Sequence, residues 1–268
     1  MKSLIDAHCH LADPRLAPVL DEVMARARSR GIEFFIQGGV GPDDWSRQLE
    51  LSFREKGILP AFGLHPWWVD QKGDEDCERA LTELDQRLAL STQNGSPRVV
   101  GLGELGLDYG PRTHEESRDR QLRVFRSQLI LAKKHGLPLV LHIVHAHEEA
   151  IAELKTADTA GRGGIVHAFT GGPGLARRYC ELGLTLSIGG PVARKGFESL
   201  KRAVVTLRPN QFVLESDSPD QPPPGYALNE PASLWDVAEE VGRLRSEQAS
   251  EVLQRSRDRL NEIFKLEL

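Results

Sequence analysis

Eight short apolar runs, at fairly even spacing, alternate with longer polar segments along this chain of 268 residues. The runs are SLIDAH, EFFIQGG, LPAFGLHP, RVVGLGELGLD, LPLVLHIVHA, GGIVHAF, LTLSIGG and QFVLESD, and each is followed by glycine, proline or a polar cluster, as expected of strands. Helical three- and four-residue spacing is clearest in residues 14–30, 74–93, 115–135 and 146–157. This eightfold strand–helix alternation predicts an α/β fold, a (β/α)8 TIM barrel, with a doubly wound sheet as the alternative.

The charge balance and cysteine content restrict the class of protein. There are 34 Lys and Arg residues against 39 Asp and Glu residues, so the net charge is −5 and no broad basic surface for nucleic acid is expected. Any nucleic-acid substrate would have to be engaged locally, at a short site or a chain end. Three widely spaced cysteines without a CxxC motif indicate reduced thiols. With no signal peptide and no membrane-length apolar stretch, we predict a cytoplasmic protein without membrane contact and without an evident obligate protein partner.

Two segments between the apolar runs have specific interpretations. The hexapeptide GLGELG at 101–106 matches the G-x-G-x-x-G pattern of dinucleotide-binding loops, but no helix is predicted to start there, as that motif requires. We therefore predict that it belongs to a strand. Residues 218–231, SPDQPPPGYALNEP, are too rich in proline for a helix and are predicted to form an ordered loop.

Charged or imidazole side chains interrupt the apolar runs near their C-terminal ends. In a barrel these ends meet at one face, where barrel enzymes have their active sites. A single histidine in a strand is more often a hydrogen-bonded core residue than a ligand. The recurrence of such residues on several strands predicts a metal centre instead, because buried charges must be paired or bind metal. The residues are His8, His10, His65, Glu104, His142, His167, Glu215 and Asp217.

The spacing of the first run indicates which side chains act together. Asp6, His8 and His10 are two residues apart, and such residues share one face of a strand. Cys9 points to the opposite face and is interpreted as a packing residue. Asp6 and Glu215 lie deeper on the ligand-bearing faces and are predicted to support or orient a ligand rather than to bind metal.

Seven motifs, DAHCH, FGLHP, GELGLD, LVLHIV, IVHAF, SIGG and ESDSP, occur in order along nearly the whole chain. Together they resemble the TatD-like metal-dependent deoxyribonucleases of the amidohydrolase superfamily. The resemblance implies a single TIM-barrel metal-dependent hydrolase domain over residues 1–268. It also implies a centre of two divalent ions that activates a water to cleave phosphodiester bonds in DNA.

The resemblance also implies a role for each predicted site residue. The mixed imidazole and carboxylate ligands favour Zn²⁺ or Mn²⁺, with Fe²⁺ also suitable, and Mg²⁺ as a weaker candidate because it prefers oxygen. Neutral imidazoles are required for metal binding, so activity is expected to fall below about pH 6. By the resemblance, His8, His10 and Asp217 would bind one ion, His142 and His167 the other and Glu104 both, with His65 lying near the substrate. Asp217 is also the candidate for accepting a proton from water, because a carboxylate on the eighth strand can reach both metal and water.

Three departures from the family pattern concern the substrate. Val144 stands where the family often has Arg, residues 218–231 contain no basic residue, and the family's asparagine near the C-terminal helix end is not evident. The candidates for phosphate contacts are Arg112, Arg194 and Lys195. The departures keep a second hypothesis open, in which the protein is an amidohydrolase acting on a carbon ester or amide such as a lactone, a cyclic amide or a misacylated tRNA. A degenerate barrel that only binds a ligand is the third hypothesis, and the intact ligand set argues against it.

Overall fold

The structure is a computed structural model that describes residues 3–91, 97–158, 161, 163–266 and 268. Within these residues, short strands alternate with helices as the sequence predicts. The strands are β1 (Leu4–Cys9), β2 (Ile32–Gln37), β3 (Ile58–Leu59), β4 (Ala61–Phe62), β5 (Gly101–Asp108), β6 (Leu139–Val144), β7 (Gly164–Val166), β8 (Thr185–Ile188) and β9 (Phe212–Leu214). The α-helices are α1 (Leu20–Ser29), α2 (Pro42–Arg54), α3 (Pro66–Asp70), α4 (Asp74–Leu90), α5 (Arg118–His135), α6 (His147–Thr156), α7 (Pro173–Glu181), α8 (Glu198–Thr206), α9 (Leu234–Arg245) and α10 (Ala249–Phe264).

All the paired strands are parallel, and their order follows the chain. One sheet has the order β1-β2-β3 and the other the order β4-β5-β6-β7-β8-β9. A doubly wound sheet would reverse its strand order at a switch point, and no reversal occurs in the described sheets. The predicted third strand is divided into β3 and β4 by Pro60, which has no N–H to donate to a ladder.

Backbone hydrogen bonds connect the two ends of the strand series. The His10 amide donates to the Ser218 carbonyl at 2.7 Å, and the Asp217 amide donates to the His8 carbonyl at 3.0 Å. The end of β1 therefore lies beside the segment that follows β9. This neighbourhood of first and last strands is the arrangement that a (β/α)8 barrel requires.

Apolar side chains occupy the inner strand faces at their N-terminal ends. Ile5, Val140, Ile165 and Val213 belong to one buried cluster, which also includes Phe264 of α10. A larger buried cluster lies between the strands and the surrounding helices. Because successive inward positions are two residues apart, the next inward positions on β6 and beyond β7 and β9 carry polar groups. The inner face thus changes from apolar to polar towards the C-terminal ends of β6, β7 and β9.

Several local predictions are confirmed and some boundaries differ. The GLGELG segment lies within β5, and the loop 218–231 is free of helix until a 3₁₀ turn at Pro231–Ser233. The helix predicted from residue 14 begins only at Leu20, after a 3₁₀ turn at Ala17–Val19. The helix predicted over 74–93 begins at Asp74 and ends at Leu90, and the last two residues of that prediction lie outside the described residues.

The cysteines and the helices agree with the sequence-based expectations. Cys9, Cys77 and Cys180 are unpaired thiols, and Cys9 is buried in the outer core, as predicted for a packing residue. None of the helices in the described part of the chain combines the length and the apolar character needed to cross a membrane.

Candidate metal centre

The six predicted metal ligands meet at the C-terminal ends of the strands. His8 and Glu104 lie within β1 and β5, His142 lies within β6, and the others follow their strands directly or within three residues. Five of the six are buried and His10 is partly exposed. The structure therefore brings together, at one face, residues separated by more than 200 positions; they are His8, His10, Glu104, His142, His167 and Asp217.

One half of the site is formed by the histidines of the first strand. The Nε2 atoms of His8 and His10 lie 3.2 Å apart. The Oε2 atom of Glu104 is 3.5 Å from the first and 3.2 Å from the second. Asp217 Oδ1 is 3.8 Å from each of the two Nε2 atoms. Two imidazole nitrogens and two carboxylate oxygens thus converge on one position.

The other half of the site lies at the second oxygen of Glu104. Its Oε1 atom is 2.7 Å from His167 Nε2 and 3.2 Å from His142 Nδ1. These two ring nitrogens are only 2.9 Å apart. The two oxygens of one carboxylate therefore face two separate pairs of imidazoles, with Glu104 between them.

Bound divalent cations explain the arrangement of these nitrogen and oxygen atoms better than hydrogen bonds among the side chains do. The Oε2 atom of Glu104 is buried and receives no hydrogen bond from the described residues, although two ring nitrogens are within 3.5 Å. A buried carboxylate oxygen without a partner is costly unless a cation occupies the space in front of it. Imidazole nitrogen and carboxylate oxygen are ligands that Zn²⁺ and Mn²⁺ accept. The residues therefore fit a metal centre.

The charges of the site depend strongly on Glu104. Burial lowers the pKa of His8 to about 3, which keeps this ring neutral. Burial also acts against protonation of His10 and His167, but the Glu104 charge outweighs it and raises their pKa values to about 10 and about 9. Burial would raise the pKa of Glu104, yet the surrounding imidazoles hold it well below its usual range. Protons and metal ions therefore compete for the same nitrogens.

Asp108, which the sequence analysis did not single out, supports His142. Its Oδ2 atom lies 3.2 Å from His142 Nε2 and accepts a hydrogen bond from Trp67 Nε1 at 2.6 Å. The Gly110 amide donates to its other oxygen at 2.8 Å. A carboxylate that contacts the far nitrogen of a histidine fixes the orientation of the ring and makes the near nitrogen a better ligand. The sequence could have indicated Asp108, because it lies four residues after Glu104 on the same strand and such residues share one face.

The two residues predicted to support ligands have different contacts. Asp6 accepts hydrogen bonds from the amide and the hydroxyl of Ser216, at 2.9 and 2.5 Å, and so fastens β1 to the segment after β9. Burial raises the pKa of Asp6 to about 7. Glu215 accepts a hydrogen bond from the Ala168 amide at 2.6 Å and lies 3.9 Å from His167 Nδ1. Burial also raises the pKa of Glu215.

Gly38, directly after β2, provides the space that the imidazoles of His8 and His10 occupy. A Cβ atom at this position would lie 2.4 Å from His8 Cε1 and 2.6 Å from His10 Cε1. We therefore expect Gly38→Ala to displace these rings and to weaken metal affinity by about 10- to 100-fold. Gly73→Ala is the control, because a Cβ atom there meets no heavy atom within 4 Å. Titration against a competing chelator measures the affinities, and equal values for the two folded variants would contradict the expectation.

A cavity of about 670 Å³ opens above the ligands, and two of the three predicted phosphate contacts line it. Arg112 is exposed, with its guanidinium 5.1 Å from the centre of the Trp67 ring. The Arg194 Nε group donates to the Pro222 carbonyl at 2.9 Å. Lys195 is exposed and is not among the residues that line the cavity. His65, the fourth predicted substrate contact, lines the cavity beside Glu104.

An ion-paired arginine at the cavity mouth was also not predicted. Arg15 makes paired hydrogen bonds to Asp220, at 2.6 and 2.9 Å, and contacts Asp13 at 2.8 and 3.0 Å. Its charge is therefore shared between two carboxylates that belong to the loops after β1 and β9. No sequence pattern links residues that are 205 positions apart, so this contact depends on the fold.

Comparison with known proteins identifies the family. The family model described as "TatD related DNase" matches residues 5–265. The chain belongs to this family. Among TatD relatives, the uncharacterized metal-dependent hydrolase YabD of Bacillus subtilis is 30% identical over 266 residues, which covers 98% of this chain and 99% of YabD. The human protein named deoxyribonuclease TATDN3 is 30% identical over 255 residues, which covers 94% of this chain and 90% of TATDN3.

A solved structure supports the same assignment. The crystal structure of YjjV, a TatD homologue from Escherichia coli K12, superimposes with a TM-score of 0.88 at 27% identity, covering 98% of each chain. The predicted TatD-type α/β barrel fold is thereby confirmed. With buried His, Asp and Glu clusters able to hold metal, this TatD-family chain is a metal-dependent hydrolase, as the sequence predicts.

Proposed function

We propose that this TatD-family hydrolase cleaves phosphodiester bonds in DNA with the help of two divalent ions. The observation that carries the proposal is the position of Glu104, whose two oxygens face two separate pairs of imidazoles. A shared carboxylate between two cation positions is the arrangement of two-metal sites that act on phosphate esters. The naming of the human relative as a deoxyribonuclease supports DNA as the substrate.

Each half of the proposed centre has its own ligands, and Zn²⁺ or Mn²⁺ is favoured over Mg²⁺ by the nitrogen content of both halves. Glu104 would help to hold both ions, because its two carboxylate oxygens face different pairs of imidazoles. The first half would hold an ion through His8, His10 and Asp217, and the second through His142 and His167.

The protein side chains would act on water and substrate at defined atoms. When bound, the ions supply positive charge to the phosphoryl oxygens and lower the pKa of a bound water toward ~7. The Asp217 carboxylate, whose Oδ1 faces the first half of the site, would accept a proton from the attacking water. The side-chain Nε2 group of Gln221 donates a hydrogen bond to Asp217 Oδ2 at 2.8 Å. Asp108 holds the His142 ring in its orientation.

The surroundings of the site favour local engagement of the substrate. Arg112 is the proposed phosphate contact, and it lies against Trp67 rather than against a carboxylate. Asp13 and Asp220 occupy the mouth together with Arg15, so the rim of the cavity has little net positive charge. A long polyanion would therefore gain little electrostatic attraction from this rim. The same observation favours the second candidate function, hydrolysis of a carbon ester or amide.

A substrate screen distinguishes the two functions. Metal-free protein would be reconstituted with Zn²⁺ or Mn²⁺ and assayed on single-stranded DNA, on bis-p-nitrophenyl phosphate and on a panel of esters, lactones and amides. We expect turnover of the first two substrates and about two ions per chain by elemental analysis. Turnover of the carbon esters or amides alone would contradict the nuclease proposal and support the second candidate.

Metal binding is expected to release protons. At pH 7.5 the metal-free rings of His10 and His167 are below their pKa values of about 10 and about 9, so both are protonated. Metal binding needs neutral rings, so about two protons per chain should leave at pH 7.5, and the release should decline as the pH rises through 9 to 10. Calorimetric titration in two buffers with different ionisation enthalpies measures this number. Uptake of metal at pH 7.5 without proton release would contradict the protonated state expected for these two rings in the metal-free protein.

Two further expectations remain proposals. The family match over residues 5–265 supports a single domain across residues 1–268. The three unpaired thiols support a reducing compartment such as the cytoplasm.

A further inference from the structure

Trp67 contacts two different parts of the site with two different parts of its side chain. It is the second residue of α3, is half-buried and lines the cavity above the metal centre. Its indole Nε1 group donates a hydrogen bond to Asp108 Oδ2 at 2.6 Å. The guanidinium carbon of Arg112 lies over its ring, 5.1 Å from the ring centre. One side chain therefore connects the carboxylate that supports His142 with a cation at the cavity wall.

Arg112 differs from the other two arginines that line the cavity in the partner of its charge. Arg15 is paired with two carboxylates, and Arg194 donates to a backbone carbonyl. Arg112 is exposed, and among the described residues it makes no hydrogen bond and no ion pair, so that its contact is with the Trp67 ring. A guanidinium on an aromatic face is attracted by the ring and keeps its N–H donors for a further ligand. Arg112 is thus the arginine of the cavity that can bind an anionic group without first breaking a hydrogen bond.

The backbone that carries Arg112 is tied to the helix that carries the indole. Thr113 donates through Oγ1 to the Asp108 carbonyl at 2.7 Å, at the end of β5. The His114 amide donates to Asp70 Oδ1 at 2.8 Å, and Asp70 is the last residue of α3. The long Arg112 side chain can still rotate about its own bonds, so the indole face is the contact that restricts its position.

We propose that Trp67 is a positioning residue with two separable effects, one on the substrate and one on the metal. Its ring face holds the Arg112 guanidinium at the cavity wall, where it binds a phosphate group of the substrate. Its N–H group holds Asp108, and through Asp108 the His142 ring, in the orientation that binds metal. A guanidinium ordered in advance loses less entropy on binding, and a fixed partner on the far nitrogen makes the near nitrogen a better ligand. The first effect rests on the proposed phosphodiesterase function, and the second rests only on the metal centre.

Two substitutions of Trp67 remove one effect each. Trp67→Phe keeps an aromatic face for Arg112 but has no N–H group for Asp108. Its metal affinity, measured against a competing chelator, should weaken by about 10- to 100-fold, whereas KM for a short single-stranded oligodeoxynucleotide at saturating metal should stay within about threefold. Trp67→Gln offers a side-chain N–H group to Asp108 but has no ring. Its metal affinity should stay within about threefold of the wild type, whereas KM should rise about 10-fold with little change in kcat.

A double-mutant cycle shows whether the rise in KM acts through Arg112. Arg112→Met removes the charge and should raise KM by itself, and Trp67→Gln should raise KM no further in this background. A merely structural role of the indole predicts the same additional rise in both backgrounds. The same two substitutions at Trp68 are the matched controls, because this neighbouring residue of α3 does not line the cavity and its ring lies near Lys72. We expect these controls to retain the wild-type KM and metal affinity.

The outcomes that overturn the proposal differ for its two effects. A folded Trp67→Phe variant with the wild-type metal affinity overturns it, and so does a Trp67→Gln variant whose KM is unchanged or rises equally in both backgrounds. Loss of both properties in both variants also overturns it, because the two effects would then not be separable. If the wild-type protein cleaves no phosphodiester, the Arg112 contact fails together with the proposed function. The chelator titration of Trp67→Phe alone then decides whether the indole N–H group supports the metal centre.

Discussion

Asp217→Asn is expected to lower kcat for phosphodiester hydrolysis by about 10³-fold while much of the bound metal is retained. The amide keeps an oxygen for coordination but cannot accept a proton from water. Asp217 Oδ1 lies 3.8 Å from the Nε2 atoms of both His8 and His10, so it is placed at the first cation position. Burial raises the pKa of Asp217, which makes the carboxylate a stronger base.

The prediction is tested by steady-state kinetics with elemental analysis of the same samples. Asp21→Asn is the matched control, because Asp21 is exposed on α1 and is not among the residues that line the cavity. We expect the control to retain wild-type turnover and metal content. Unchanged turnover in Asp217→Asn would assign the proton transfer to a different group, whereas complete loss of metal would show that Asp217 acts mainly as a ligand.

The sequence predicts the fold well because strand periodicity and parallel order are local or nearly local properties. Each of the eight apolar runs contains strand, and the predicted helices over 115–135 and 146–157 agree closely with α5 and α6. The errors occur where a single residue changes backbone bonding. Pro60 divides the third strand, and the segment before Leu20 forms a 3₁₀ turn instead of the start of a helix.

The candidate metal ligands could be selected from the sequence because each one interrupts an apolar run, and an unpaired polar group in such a position is costly. The contacts around the ligands were less predictable. The pairing of β1 with β2 shifts register between Asp6 and Cys9, so the strict alternation assumed for the first motif does not hold there. Asp108 and Arg15 depend on neighbours that are distant in sequence, and only the fold brings these together.

Glu104→Gln is expected to have the larger effect of the two carboxylate substitutions, with loss of both metal and turnover. Glutamine has nearly the same shape but no charge, and one neutral amide cannot serve as the anionic ligand of two cations. Charge neutralisation by bound metal stabilises the transition state by several kcal/mol. Each 1.36 kcal/mol corresponds to a tenfold change in rate, so we expect kcat to fall by at least about 10³-fold. Glu75→Gln, at an exposed position of α4, is the control.

The metal content of the two variants distinguishes their roles. Glu104 contacts both imidazole pairs, at 2.7 Å from His167 Nε2 and 3.2 Å from His10 Nε2, whereas Asp217 faces only the first half of the site. Elemental analysis should therefore find Glu104→Gln depleted of both ions and Asp217→Asn only partly depleted. If Glu104→Gln kept both ions, each half would hold its ion without the shared carboxylate. The two halves would then be independent sites, and the bridging role of Glu104, on which the two-metal proposal rests, would be wrong.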